Sequence, residues 1–195
     1  MNPMENLYEM QLQIYEIFKT QNPEFFDVVF EVNGKKLYAE KLRLSAISPV
    51  FKSLLSEKWI SKNDAIEIES FKFGIFKQLL NFIYSGQCRL TEENAFSMVE
   101  IAEFYQIYSL KTFCDGYLSK MDLSLENVFQ FLEFSTKYSG LLKLKESMKK
   151  FIFKNLYELL KSEEFLMADK FAIEQLINLN YFFLKQEKLF RAVSI

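Results

Sequence analysis

The apolar spacing opens on a helix. Met4, Leu7, Gln11, Ile14 and Phe18 recur at helical intervals over residues 4–20, and Gln21-Asn22-Pro23 ends the run because a residue before proline is pushed out of the helical region. The period then changes. Asp27–Val32 and Lys35–Glu40 are two β-rich runs joined by Asn33-Gly34, a pair that tolerates the positive φ of a tight hairpin turn. Ser48-Pro49 reads as an N-cap with proline at the first helical position, and the helix after it carries Phe51, Leu54 and Leu55. Asp64–Ile68 alternates as a short strand. Ser70 is placed to cap a helix rich in phenylalanine and leucine that stops at Gly86. A strand is expected at 87–89, and Thr91-Glu92-Glu93 is expected to start a helix reaching about Phe104, with its carboxylates at the positive dipole end. Another helix carries Ile107, Leu110, Phe113 and Tyr117. Beyond Ser124 the pattern is helical throughout, at about 125–138, 141–160, 163–168, 170–179 and 186 onward. No repeat is apparent. A mixed N-terminal part is therefore followed, past residues 120–122, by helices alone. The hairpin is too small to bury a core, so helices must cover it.

Composition narrows the chemistry. The 195 residues are 50% hydrophobic and 26% charged, which supports a packed core. There is no histidine, and this excludes Ser-His-Asp and Cys-His catalysis and histidine metal ligation. Cys88 and Cys114 cannot form a four-thiolate zinc site, and they read as small buried hydrophobes in a reducing compartment. The five glycines are scattered, so no phosphate-cradling loop exists. Glu92-Glu93 and Glu163-Glu164 are sequence neighbours, which do not face each other on a helix and make poor acid–base pairs. A non-enzyme without cofactor or metal is expected.

The net charge is -2, and only Arg43, Arg89 and Arg191 are arginines. Nucleic-acid surfaces need a basic excess, usually with arginine, so that partner class is not expected. The lysines at 143, 145, 149 and 150 are interrupted by Glu146 and read as a solvated helix face. The N-terminus lacks the features of a secretory signal, and no apolar run approaches the roughly 20 residues of a membrane helix. A membrane partner is not expected either, and the location expected is cytoplasmic, nuclear or both.

At this point motifs accumulate. Phe26-Asp27-Val28-Val29-Phe30, followed by Tyr38-Ala39-Glu40-Lys41-Leu42-Arg43-Leu44-Ser45-Ala46-Ile47-Ser48-Pro49-Val50-Phe51, resembles the BTB/POZ signature, and Phe82-Ile83-Tyr84-Ser85-Gly86 resembles its Phe-x-Tyr-Ser/Thr-Gly helix end. From Leu123-Ser124-Leu125-Glu126-Asn127 onward the chain is similar to the helical BACK domain. Glu40 stands where the family usually has histidine. The resemblance implies an α+β fold: a BTB/POZ domain over 1–121, a small sheet covered by helices, followed by an all-α BACK-like domain over 122–195. The final helix looks cut short at Ile195, so a truncated BACK domain is expected.

The resemblance also implies binding surfaces. Residues 1–22 would form a homodimerisation helix with Leu7, Gln11, Ile14 and Phe18 at the seam; the alternative is that the helix folds back on its own domain. Asp27 and Lys41 occupy the positions of a charged pair near the family's dimer interface, where an inward Glu40 would compete for Lys41; the alternative is an Asp at a strand start with Glu40 and Lys41 in solvent. Trp59-Ile60-Ser61 falls at the cullin-3 motif, with the hydrophobic anchor kept and the glutamate replaced by Ser61; Tyr105 lies at the other cullin-facing loop. Trp59 could instead plug its own core. The implied function is a dimeric adaptor linking an unidentified protein substrate to a cullin-3 ubiquitin ligase, or alternatively a non-ligase scaffold.

Overall fold

A computed structural model describes residues 2–56 and 65–180. The chain forms two compact units, Met1–Lys111 and Thr112–Ile195.

The first unit begins with α1 (Pro3–Thr20). Asn2 and Glu5 close a capping box at its start: the Asn2 side chain accepts the Met4 N–H at 3.2 Å, and Glu5 accepts the Asn2 N–H at 2.8 Å. The helix ends on Gln21, which adopts the left-handed conformation with φ 51°. Next come β1 (Val28–Val32) and β2 (Lys35–Ala39), an antiparallel hairpin whose Asn33 and Gly34 both take positive φ, as its turn requires. A two-residue β3 (Ile66–Glu67) lies parallel to β1, giving the order β2-β1-β3.

One face of this sheet is apolar. Val28, Phe30, Val32, Leu37 and Ala39 are buried on it. Phe30 meets Phe51 of α3 (Pro49–Leu54) and Phe76 of α4 (Phe73–Ser85), at 5.8 and 5.0 Å between ring centroids. Each fully buried phenylalanine contributes roughly 1.5–3 kcal/mol. Between β2 and α3 sits α2 (Lys41–Ile47). Ser48 caps α3 as expected, its hydroxyl accepting the Phe51 N–H at 3.0 Å.

Several expectations are corrected. The segment 87–89 joins no ladder, because side chains use its backbone groups: the Arg89 N–H donates to Gln78 Oε1, and the Arg89 carbonyl accepts from Asn94 Nδ2, both at 2.9 Å. Helix α5 (Ala95–Phe104) starts after Asn94 rather than at Thr91, because Asn94 Oδ1 takes the Thr91 N–H at 2.8 Å and holds a turn there. Ser70 does not cap α4. That helix starts at Phe73, whose N–H donates to Asn33 Oδ1 at 3.0 Å. Its other end closes as expected on Gly86, at φ 74°.

The split between the units falls within α6 (Tyr108–Leu118). The second unit continues with α7 (Val128–Lys137), α8 (Leu142–Lys154), α9 (Leu156–Leu159), α10 (Glu163–Met167) and α11 (Lys170–Asn180). The single helix expected over 141–160 is broken at Asn155, whose side chain turns back to the Phe151 carbonyl at 2.8 Å. The helix expected from 186 onward lies outside the described residues. Helices α7, α8 and α11 pack on one another around Phe131, Leu132, Leu144, Met148 and Leu176.

A buried carboxylate organises this unit. Asp115 accepts the Lys143 and Leu144 N–H groups, both at 2.9 Å, one on each oxygen. It thereby caps α8, whose own N-cap residue, Leu141, has no group to do so. One local motif also occurs twice: Asn127 bonds the Ser124 N–H and the Asp122 carbonyl ahead of α7, just as Asn94 bonds Thr91 and Arg89 ahead of α5.

Candidate protein-interaction surface

Helix α1 carries one apolar stripe, exposed at its start and covered toward Phe18. Its inner side meets α4 through Gln11, whose carboxamide donates to the Tyr84 carbonyl, and through Phe18. The Phe18 ring stacks on Tyr84 at 4.0 Å with 13° between planes, and Phe18 is only 2% exposed within the single chain. Of the four predicted seam residues, Phe18 is therefore an anchor within its own domain: its aromatic surface is already covered by Tyr84. Gln11 is committed in the same way, and Ile14 is half-buried. Met4, Leu7 and Tyr8 continue the same stripe toward the helix start, at 69, 61 and 63% exposure, with Met10 at its margin at 61%.

Tyr84 is the centre of this region. Its hydroxyl accepts the Glu40 N–H at 2.7 Å, and the Arg43 guanidinium lies 4.8 Å from its ring centroid. Burial holds its phenol well above the usual phenol range. Arg43 Nε also reaches Glu40 Oε2 at 3.3 Å. The carboxylate standing in the family's histidine position is thus paired with Arg43, one turn along α2, and not with Lys41.

Asp27 and Lys41 are brought together differently from the expectation. Asp27 Oδ1 accepts the Lys41 backbone N–H at 2.7 Å and caps α2. Among the described residues no ion pair joins the two side chains. The carboxylate answers an orphan backbone donor at the helix start, which Glu40, the N-cap residue, leaves unmet.

Tyr105 is a further correction. It is 2% exposed and stacks on Phe51 at 4.2 Å, with Phe76 at 6.0 Å. Its carbonyl accepts the Ser48 hydroxyl at 2.6 Å. It is a core residue, because the turn between α5 and α6 points it inward. The exposed aromatics at that turn are Phe104 and Tyr108, beside a hollow of about 230 Å³ lined by Gln106, Ile107 and Lys111. Sequence reasoning missed both, although each adjoins or nearly adjoins the residue it named. Trp59, Ile60 and Ser61 lie outside the described residues.

Between α1 and α4 runs a cleft of about 450 Å³, with Tyr15, Asn81, Cys88 and Arg89 on its walls. Burial pushes the Cys88 thiol up to about 11, so it is a poor nucleophile near neutral pH. Among the described residues no cluster of cysteine, aspartate or glutamate could hold a metal ion, and no helix is long and apolar enough to cross a membrane.

A small mixed sheet sheathed by helices is followed by a helical unit. The family model described as BTB/POZ domain matches residues 16–122, and the model described as BTB And C-terminal Kelch (BACK) matches 128–194. The chain belongs to the BTB/POZ family and carries a BACK domain after the BTB domain. Among curated proteins it is 28% identical over 120 residues to Armadillo BTB Arabidopsis protein 1, and 29% identical over 121 residues to ARM repeat protein interacting with ABF2, both of Arabidopsis thaliana. Those matches cover 61% and 62% of this chain but only 16% and 17% of the relatives. Among solved structures, the BTB domain of zebrafish PATZ1 shares the fold, with a TM-score of 0.54, 21% identity, and coverage of 62% of this chain and 98% of that one. The BTB domain of human gigaxonin aligns with a TM-score of 0.49 and 23% identity over 60% of this chain and 93% of that one.

Proposed function

We propose that this interaction module works as a homodimeric adaptor linking a bound protein to a cullin-3 ubiquitin ligase. The observation that carries the dimer is the exposed first turns of α1. Met4, Leu7, Tyr8 and Met10 leave an apolar row in water at the start of a helix whose later turns are anchored through Gln11 and Phe18. A second copy offers the same row in return, the self-complementary arrangement of a two-fold dimer. The support for cullin-3 is Trp59-Ile60, a hydrophobic anchor at the family's motif. The BACK helices then serve as a spacer toward a substrate-bearing partner. On this reading the adaptor does no bond chemistry; it raises the effective concentration of a substrate beside the ligase, in the cytoplasm, the nucleus or both.

Light scattering on L7E/M10E tests the dimer: half the parental mass supports it, and an unchanged mass removes it. Pull-down with cullin-3 tests the ligase link. Binding that is lost in W59A supports it, and failure of the unsubstituted protein to bind sinks it.

Two observations favour the second reading, a scaffold outside any ligase. Ser61 replaces the motif's glutamate, and Tyr105 is buried rather than presented. Mass spectrometry of co-purified proteins separates the readings by the presence or absence of a cullin.

A further inference from the structure

The order β2-β1-β3 leaves β2 as an outer strand. An outer strand offers unpaired N–H and C=O groups to any strand that reaches it. Pairing alternation decides which groups face outward. Tyr38 turns its N–H and carbonyl away from β1, so Lys36 in β2 and Glu40 just after it share that outer side.

Side chains occupy the Tyr38 and Glu40 part of this edge. The Tyr38 N–H donates to Gln21 Oε1 at 2.9 Å, and Gln21 Nε2 donates to the Tyr38 carbonyl at 3.2 Å. The Glu40 N–H donates to the Tyr84 hydroxyl. A carboxamide presents the same donor and acceptor as a peptide group, so Gln21 stands where a neighbouring strand's backbone would stand. Its position is secured: Gln21 Nε2 also donates to the Phe18 carbonyl at 2.8 Å, and Phe18 is stacked on Tyr84. Gln21 holds the left-handed conformation that side-chain-bearing residues rarely adopt, and that conformation aims its carboxamide at β2.

We infer that the end of α1 seals the sheet: Gln21 closes the outer edge of β2 against strand addition by β2 of a second copy of this chain. The second copy is the fitting occupant on charge. Antiparallel self-pairing about Leu37 sets Lys35 opposite Ala39 and Lys36 opposite Tyr38, so no like charges face each other. Leu37 and Ala39 already point into their own core, so pairing at the edge leaves that core intact. This contact is distinct from the exposed first turns of α1 and holds whether or not they dimerise.

The test uses the full chain with Q21A and Q21A/Y38P. In dilute solution, NMR hydrogen exchange at the Tyr38 amide should quicken at least tenfold in Q21A. At rising concentration, sedimentation should show Q21A assembling beyond the mass of the unsubstituted protein. Adding Y38P should restore that mass. The Tyr38 N–H makes no bond to β1, so proline there removes the outward donor without breaking the ladder. Unchanged Tyr38 exchange in Q21A overturns the inference, as does an unchanged mass. Assembly that persists in Q21A/Y38P also overturns it, since general misfolding would then be the cause.

Discussion

Phe18 lies flat against Tyr84, 4.0 Å between ring centroids, and joins the N-terminal helix to the middle of the BTB domain. The stack is buried, so F18A leaves a cavity as well as losing the contact. The expected cost is about 3–5 kcal/mol in chemical denaturation. F18L, which refills much of the space, should cost well under half of that. Equal losses in the two variants would mean that the ring's volume is not what matters.

Asp27 caps α2 through a backbone N–H and not through the Lys41 ammonium. D27A should therefore cost about 1 kcal/mol, while K41M should be nearly neutral. A charged pair predicts the reverse symmetry, with both variants losing similar stability. Thermal melts of the two single variants decide it.

Asp115 is 4% exposed and each oxygen takes one N–H of α8. D115A strands the buried Leu144 N–H, at about 1–3 kcal/mol for an unmet buried group, and the part-buried Lys143 N–H, which water can partly answer. D115N keeps one acceptor and sets an NH₂ group against the other N–H, so it should fall between. The losses should appear first as faster amide exchange at Lys143 and Leu144. Protection there that survives D115A would exclude the cap.

Tyr84 and Tyr105 are both held above the ordinary phenol value of 10.0, chiefly by burial. The raised group favours the fold while it is neutral. Its contribution is full below pH 10 and is lost as pH rises beyond, because the unfolded chain ionises there and the folded one does not. In a spectrophotometric titration these two phenols should ionise together with unfolding, after the exposed tyrosines. Early, reversible ionisation of all ten would contradict this.

Cys88 should alkylate slowly. With its thiol near 11 in place of the ordinary 9.0, the thiolate fraction at pH 8 is about a hundredfold lower. Iodoacetamide labelling should give a half-time far longer than for the same thiol in urea. Matching rates in the two conditions would count against the buried environment.

The hairpin, the Ser48 cap, the Gly86 stop and the helical second half were legible because each depends on residues a few positions apart. The α1 site was half legible. Apolar spacing marks a stripe on a helix, but it cannot tell which neighbour covers the stripe, and Phe18 proved to belong to Tyr84 while Leu7 stayed open. Tyr105 misled for the same reason: position in a turn does not reveal whether a ring points out or toward Phe51.

By itself the sequence determined the family and most of the elements, though not the missing strand at 87–89 or the break at Asn155, since periodicity, turn residues and motif spacing are local properties. Only the tertiary structure decided how three helix starts are satisfied. Asp27 serves Lys41 from 14 residues away, Asn33 serves Phe73 from 40, and Asp115 serves Lys143 from 28. A helix N–H is answered by whichever acceptor the fold brings within about 3 Å, and nothing in the local pattern of α2, α4 or α8 names that acceptor. The seal on β2 has the same origin. Gln21 reads as the end of a helix until folding sets its carboxamide against Tyr38.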